Sequence, residues 1–245
     1  MSWTLFVVGA AAGGFINGLA GFGTALFALG FWLQFLPPVQ AVAVVVVLSV
    51  ATGLQGLWVV RQAIFDQPLR LARFLLPALI GIPLGVLSLS ILDPKVLKFT
   101  IAGMLVLYGG YFSLRRNLPK FERPTPIMDS IVGFLGGVMG GAASLSGALP
   151  TMWCSMRPWP KTETRAVLQP YNVAVLGLTC LVLVIRGEYT GQTLWLLAVA
   201  LPVALVSAQV GIAVFKRISD TAFQRLLVVM TFLSGVILLI RELLL

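Results

Sequence analysis

Two glycine-broken apolar stretches contain the side chains of this sequence that are best suited to bind a ligand. They are GGFINGLAGFGTALFAL at residues 13–29 and GFLGGVMGGAASLSGALP at residues 133–150. Where a helix stops inside a membrane, its first N–H groups are unpaired and carry partial positive charge, so they bind an anion without a full positive charge. Hydroxyl and amide side chains add to that field. The polar side chains at the breaks are Asn17, Thr24, Ser144 and Ser146.

Glycines at these breaks would let a ligand approach the backbone closely. The predicted substrate contacts of the two breaks are therefore Asn17, Gly18, Gly21, Gly23, Thr24, Gly140, Gly141, Ser144 and Ser146. An alternative interpretation is that the glycines are small residues at helix crossings, where they allow neighbouring helices to pack tightly. The two interpretations are compatible within one protein.

Three further residues complete the predicted substrate site. Asn172 follows Gln169, Pro170 and Tyr171 in an apolar run and faces either a cavity or another helix through a hydrogen bond. Arg157 and Arg165 follow the second break closely enough to attract anions from the cytoplasmic side. Basic residues that flank membrane segments also set the orientation of a membrane protein, and that role explains these two arginines equally well.

The composition identifies a membrane protein. Of the 245 residues, 59% are hydrophobic and 10% are charged, whereas soluble domains average roughly a quarter charged. Hydropathy predicts eight apolar blocks, most of them near the roughly 20 residues that a spanning helix needs. The first and fifth blocks are nearer ~30 residues and contain the glycine breaks. No soluble linker interrupts them, so we expect one all-α membrane domain over residues 1–245, in the plasma or inner membrane.

The residue types also exclude several classes of function. The chain has no histidine, only two cysteines, and no acidic residue inside a long apolar run, so we expect no metal site, no cofactor and no enzymatic activity. The net charge of +9 comes from basic residues that flank apolar blocks, where they orient the chain and contact anionic lipid. Nucleic-acid binding is therefore not expected.

The two halves of the chain resemble each other, which predicts repeats over residues 1–118 and 125–245. At a spacing of 119, the matching pairs are Phe15 with Phe134, Gly18 with Gly137, and Gly21 with Gly140. At a spacing of 126, they are Gly85 with Gly211, Gly109 with Gly235, and Arg115 with Arg241. Each repeat would contain four helical segments, the first of them broken at glycines.

The distribution of basic residues favours inverted repeats. Eight plain crossings would divide the 17 basic residues nine to eight between the two sides, which is almost no bias. If the first and fifth blocks are re-entrant hairpins, thirteen basic residues are cytoplasmic and four are external. Each half then crosses three times and the repeats are inverted, with hairpin arms of about 14 residues, or roughly 20 Å. Eight crossings with long tilted helices are the alternative.

The segments FINGLAGFGTALFAL and FLGGVMGGAASLSGALP resemble the glycine-rich openings of the repeats in the sulfite exporter TauE/SafE family of membrane transporters. The four-block organisation extends the resemblance over nearly the whole chain. It implies export or uptake of a small sulfur-containing or organic anion such as sulfite, sulfoacetate or another organosulfonate. The sequence departs from the family at Ser144 and Ser146, where further glycines are common, and at Pro150, which has no counterpart at the first break.

These observations predict a secondary transporter, most simply an exporter, that holds a small anion near mid-membrane and works by alternating access. Its partners would be that anion, the lipid bilayer and, as a default for a small transporter, a second copy in a homodimer. Proton coupling stays open, with Asp129 and Glu163 as the acidic residues nearest the second break. The alternatives are an anion channel and a non-catalytic membrane subunit of a larger assembly.

Overall fold

The computed structural model describes residues 2–88, 94–113, 120–143 and 146–244. Ten helices follow one another along the chain, and no strand occurs among the described residues. They are α1 (Trp3–Ala20), α2 (Thr24–Trp32), α3 (Pro38–Asp66), α4 (Pro68–Ser88), α5 (Pro94–Ser113), α6 (Pro126–Ala143), α7 (Ala148–Ser155), α8 (Lys161–Ile185), α9 (Gly191–Arg217) and α10 (Asp220–Leu244). Four of them begin at proline, which lacks the N–H that a first helical residue leaves unpaired.

Among the described residues, six helices are long and apolar enough to cross a membrane: α1, α3, α4, α8, α9 and α10. The prediction of an all-helical, multi-pass membrane protein is confirmed. The hairpin hypothesis counted α5 among the six crossings and treated α1 as an arm of the first hairpin. The six helices found here include α1 and not α5. With 18 residues, α1 has about 27 Å of helical rise, close to the thickness of a bilayer core.

Both long apolar blocks are divided into one long and one short helix, the first between Ala20 and Thr24 and the second between Ala143 and Ala148. The first gives α1 with 18 residues and α2 with 9, and the fifth gives α6 with 18 and α7 with 8. The predicted arms of about 14 residues were therefore wrong. Helix α1 ends where Gly21 takes up a left-handed backbone, and α6 ends at Ala143, so both ends lie beyond the middle of the block.

The chain forms two compact units, and each combines residues from both halves of the sequence. One contains residues 1–61 and 172–218, and the other contains residues 62–171 and 219–245. The first unit has an apolar core built around Phe6, Trp32, Leu48 and Leu196. In the second, Leu105 and Met139 form a smaller cluster with alanines.

Within the first unit, α1 and α9 run parallel and in close contact. The rings of Trp3 and Trp195 lie 4.8 Å apart near the two helix starts. Further along, Gly14 and Gly18 lie against the backbone of Ala204 and Ala208, where any added Cβ would overlap a carbonyl oxygen. Glycine is required at these positions because the backbones touch.

The second unit contains the corresponding parallel pair, α6 on α4. Here Gly133 and Gly137 lie against Phe74 and Ala78, and Gly81 of α4 lies against the carbonyl oxygen of Phe134.

This contact corrects one predicted match between the halves. The glycine of α9 that lies against Phe15 is Gly211. With Phe15 matched to Phe134, as the sequence predicts, the glycine of α4 in the equivalent contact is Gly81, at a spacing of 130, and not Gly85. The difference is about one helical turn. Sequence alignment missed it because Gly85 also lies one turn along the same face, against Val138.

A third pair, α5 and α10, packs antiparallel within the second unit. The predicted match of Gly109 with Gly235 agrees with this contact. Gly109 lies against Phe232, and Gly235 lies against Leu105 and Val106. The two contacts match each other at the predicted spacing of 126, because Gly109 matches Gly235 and Val106 matches Phe232.

Candidate functional site

The first break is a sharp reversal between α1 and α2 in the first unit. Gly21 and Gly23 have φ angles of 88° and 97°, a left-handed conformation that suits glycine. The N–H of Gly21 closes α1 by donating to the carbonyl oxygen of Asn17 at 2.8 Å. The short helix then returns beside the long one, and the indole nitrogen of Trp32 donates to the carbonyl oxygen of Phe6 at 3.0 Å. The two helices therefore form an antiparallel hairpin.

Asn17 is fully buried in the last turn of α1, and its side chain is oriented by α3. Its amide nitrogen donates to the carbonyl oxygen of Ser49 at 3.0 Å and to the hydroxyl of Thr52 at 2.6 Å. Because a carbonyl can only accept, the nitrogen must face α3. The Asn17 side-chain oxygen has no hydrogen-bond partner among the described residues, so it is an acceptor that remains available at the break.

Thr24 begins α2 and has only 1% of its surface exposed. Its hydroxyl has no hydrogen-bond partner in the described part of the chain. The N-cap of α2 is Gly23, which has no side chain to cap the helix. Gly18, which was also predicted to contact substrate, lies against α9, so its position serves close helix packing.

The second break separates α6 from α7 in the second unit. Gly140 is buried within α6, whose bounds also include Gly141, whereas Ser144 lies outside the described residues. Ser146 is buried in the turn that precedes α7. As in α2, the N-cap is a glycine, Gly147, which provides no side-chain cap.

Thr151, in the first turn of α7, is a residue that the sequence interpretation missed. It is fully buried, and its hydroxyl has no partner among the residues that the structure describes. Each short helix therefore begins at a glycine N-cap and holds one buried threonine whose hydroxyl has no partner in the described part of the chain. The available signal was a threonine that follows each break inside an apolar stretch, as Thr24 does directly after Gly23.

Arg157 joins the two ends of the second hairpin. Its guanidinium donates to Asp129 at 2.9 Å, to the carbonyl oxygens of Phe121 and Arg123 at 3.2 and 2.8 Å, and to the hydroxyl of Thr125. The residue is 2% exposed. Sequence reasoning treated Asp129 as a residue near a segment end and did not predict that it would be buried against Arg157.

Two more interactions hold the hairpin closed. The indole nitrogen of Trp153 donates to the same Asp129 oxygen at 2.7 Å. The N–H of Phe121 donates to the carbonyl oxygen of Met156 at 2.9 Å. The chain therefore enters α6 and leaves α7 at the same end of the hairpin.

Arg165 is fully buried in the first two turns of α8. Its Nε donates to the side-chain oxygen of Gln169 at 3.1 Å. That bond orients the Gln169 amide so that its nitrogen faces away, and this buried nitrogen has no partner in the described residues. Gln169 thus presents a hydrogen-bond donor beside Arg165. Asn172, 5% exposed, belongs to the first unit.

Nothing in the described part of the chain assembles a metal site. No group of three His, Cys, Asp or Glu side chains comes together there, and Cys154 and Cys180 are free. The buried polar groups at the breaks include the side-chain amide of Asn17 and the hydroxyls of Thr24 and Thr151.

Comparison with known proteins identifies the family. The family model described as sulfite exporter TauE/SafE matches residues 5–238, nearly the whole chain. No curated protein and no solved structure matches the chain. With its apolar spanning helices and two glycine-broken hairpins, the chain belongs to the sulfite exporter TauE/SafE family of membrane transporters.

Proposed function

We propose that this protein is a secondary transporter that exports a small sulfur-containing oxyanion such as sulfite, sulfoacetate or another organosulfonate. The observation that carries the proposal is the repeated arrangement at the two breaks. Each has a short helix with a glycine N-cap and a buried threonine, Thr24 or Thr151, whose hydroxyl has no partner in the described residues.

An oxyanion would pair with both the helix N-terminus and the threonine hydroxyl at each break. A helix N-terminus is equivalent to roughly half a positive charge, and its free N–H groups point along the axis. A buried hydroxyl without a partner costs free energy, which a ligand oxygen recovers by accepting its hydrogen bond. Water is scarce at this depth, so a bound anion is the simplest group that pairs these donors.

Arg165 would contribute positive charge to the site in the second unit. A fully buried guanidinium in a membrane-spanning helix is costly, and such residues normally mark the path of a substrate or ion. The side-chain oxygen of Gln169 accepts one of its hydrogen bonds. The guanidinium of Arg157 is paired with Asp129 at the ends of the hairpin. We assign charge recognition to Arg165 and closure of the hairpin to Arg157.

The directions of the helices support inverted repeats with re-entrant hairpins. If all eight blocks crossed the membrane in turn, the fourth and eighth blocks would run in the same direction. Those blocks are α5 and α10, and they pack antiparallel. Two hairpins that enter and leave on one side make the halves opposite in direction, which agrees with an antiparallel α5–α10 pair.

Repeats of this kind favour alternating access within a single membrane domain, with repeats over residues 1–118 and 125–245. Each unit combines a hairpin from one repeat with helices from the other, as in α1 with α9 and α4 with α6. A small shift of α9 against α1, or of α4 against α6, would alter the access of a solute to the adjacent break. Movement of packed helices around a fixed site is the usual basis of secondary transport.

Flux measurements in liposomes test this proposal. Purified protein is reconstituted, and labelled sulfite is followed with and without a proton gradient, using sulfate and acetate as competitors. We expect saturable sulfite flux that proceeds against its concentration gradient when a proton gradient is imposed. Flux that only ever runs downhill would favour an anion channel, and the absence of any sulfite flux would contradict the proposal.

A further inference from the structure

A polar cavity lies at one end of the second unit. None of the residues that line it belongs to either glycine-broken stretch. Its volume is about 370 Å³, within the range of roughly 300–1,000 Å³ that small-molecule sites occupy. Its lining includes Arg70, Arg73, Arg123, Arg157, Glu122, Asp129 and Trp159. Four arginines thus face it together with two carboxylates.

Four helices begin at this end of the unit. The start of α4 is joined to that of α8 by an ion pair between Arg70 and Glu163. The backbone N–H of Lys161, in α8, donates to Asp220 at the start of α10 at 3.1 Å. Asp129, in the first turn of α6, bonds Arg157. Because helix N-termini carry partial positive charge, they reinforce the positive field of the arginines.

The carboxylates at the cavity do not cancel this field. Asp129 is occupied by Arg157 and by the indole of Trp153. Glu163 pairs with Arg70, and Glu122 is exposed to solvent. Arg73 and Arg123 add positive charge to the lining beyond these pairs.

The cavity also has a rigid aromatic wall with a buried donor beside it. Two guanidiniums lie near the Trp159 ring, with the Arg70 carbon 4.3 Å and the Arg157 carbon 5.7 Å from its centre. The Nε of Arg157 is buried and has no partner among the residues described. Stacking of this kind holds arginines in fixed positions, which lowers the entropic cost of binding an anion.

We propose that this cavity is a capture site for the exported oxyanion on the cytoplasmic side, occupied before the anion reaches the breaks. The inference rests on the proposed function for its substrate. Arg73 and Arg123 would attract the anion and contact it, while the fixed surface of Trp159 would accommodate the organic part of a sulfonate. A phosphate group of an anionic lipid shares this chemistry, so the experiment must distinguish the two sources.

The test uses the full-length protein with the double substitution Arg73→Gln and Arg123→Gln. Arg61→Gln serves as the control, because Arg61 is an exposed arginine that stacks on Trp58 and is not part of the cavity. Sulfite flux is measured separately with substrate on each face of oriented vesicles. We expect the KM for cytoplasmic sulfite to rise about three- to tenfold at low salt, with little change in the maximal rate or in the external KM.

Two results would overturn the proposal. One is an unchanged cytoplasmic KM in the double variant. The other is an increase that occurs only in vesicles containing anionic lipid and disappears in purely zwitterionic ones, which would assign the cavity to a lipid headgroup. Equilibrium binding of sulfite to purified protein separates this inference from the proposed function. If Thr24→Val abolishes flux while binding that depends on Arg73 and Arg123 persists, the capture site stands on its own.

Discussion

The guanidinium of Arg157 donates to the carboxylate of Asp129 at 2.9 Å, and both side chains are almost completely buried. This pair connects the exit of α7 to the first turn of α6 and closes the second hairpin. A buried ion pair contributes little net stability when it is compared with apolar residues. Loss of one partner is costly because the other charge is left uncompensated.

We expect Asp129→Ala to lower the free energy of unfolding by about 3–5 kcal/mol. Glu163→Gln is the matched control. It breaks the Arg70–Glu163 pair, whose side chains are 19% and 33% exposed, and should cost at most about 1 kcal/mol. Thermal unfolding of both variants in the same detergent measures the difference. Equal losses would mean that the Arg157–Asp129 pair does not hold the hairpin together.

Removal of either threonine hydroxyl should impair transport without destabilising the protein. Thr24→Val and Thr151→Val each delete a donor that has no partner in the described structure, so the melting temperature should not fall. Loss of a hydrogen bond to a charged ligand costs about 1.5–3 kcal/mol, or roughly 10- to 100-fold in kcat/KM for sulfite. Flux and unfolding are measured on the same preparations.

Thr231→Val provides the comparison, because the Thr231 hydroxyl donates to the carbonyl oxygen of Leu227 within α10. This variant should leave the flux unchanged. Full activity in both Thr24→Val and Thr151→Val would remove the breaks from the transport site.

Two glycines at helix crossings should not tolerate even a methyl group. In Gly18→Ala and Gly137→Ala, the new Cβ would overlap the backbone of Ala208 or Ala78, so we expect losses of about 1–3 kcal/mol or more. Gly103→Ala and Gly177→Ala are the controls, because nothing lies within 4 Å of a Cβ at either position. Expression level and melting temperature compare the four variants, and stable Gly18→Ala protein would contradict the predicted overlap.

Cysteine labelling distinguishes a hairpin from a plain crossing at α6 and α7. In a background without Cys154 and Cys180, single cysteines replace the exposed residues Arg123 and Pro158. The hairpin predicts that an impermeant reagent labels both from the same side, because the chain enters and leaves at one end. Glu188→Cys, in the loop between α8 and α9, should label from the opposite side. Labelling of Arg123→Cys and Pro158→Cys from opposite sides would support the plain crossing.

Several parts of the structure were predictable because they depend on local composition. Continuous apolar runs specify helices long enough to span, and the length and glycine content of the first and fifth blocks indicate that those two are broken. The bias of basic residues favoured hairpins, and the directions of α5 and α10 agree with it. The prediction of the breaks as substrate contacts rested on residue type alone and stays a prediction.

Other features depended on which helices pack together. Nothing local indicates that Gly211 corresponds to Gly81, because that match is determined by which turn of α9 lies against Phe15. Nor does local pattern indicate that Asp129 is buried beneath Arg157, 28 positions away. A fixed register between distant helices is a property of the packed whole, so it is absent from any short window of residues.

The sequence by itself determined the membrane class, the number and position of the broken segments, and the family, since hydropathy and glycine spacing are readable residue by residue. Only the tertiary structure decided which buried polar atoms have a hydrogen-bond partner. The sequence does not distinguish the hydroxyls of Thr24 and Thr151 from those of other threonines. Like the hydroxyl of Thr164 in α8, they have no hydrogen-bond partner among the described residues. Hydrogen bonding of a buried group depends on its neighbours in space, and packing of distant segments supplies those neighbours.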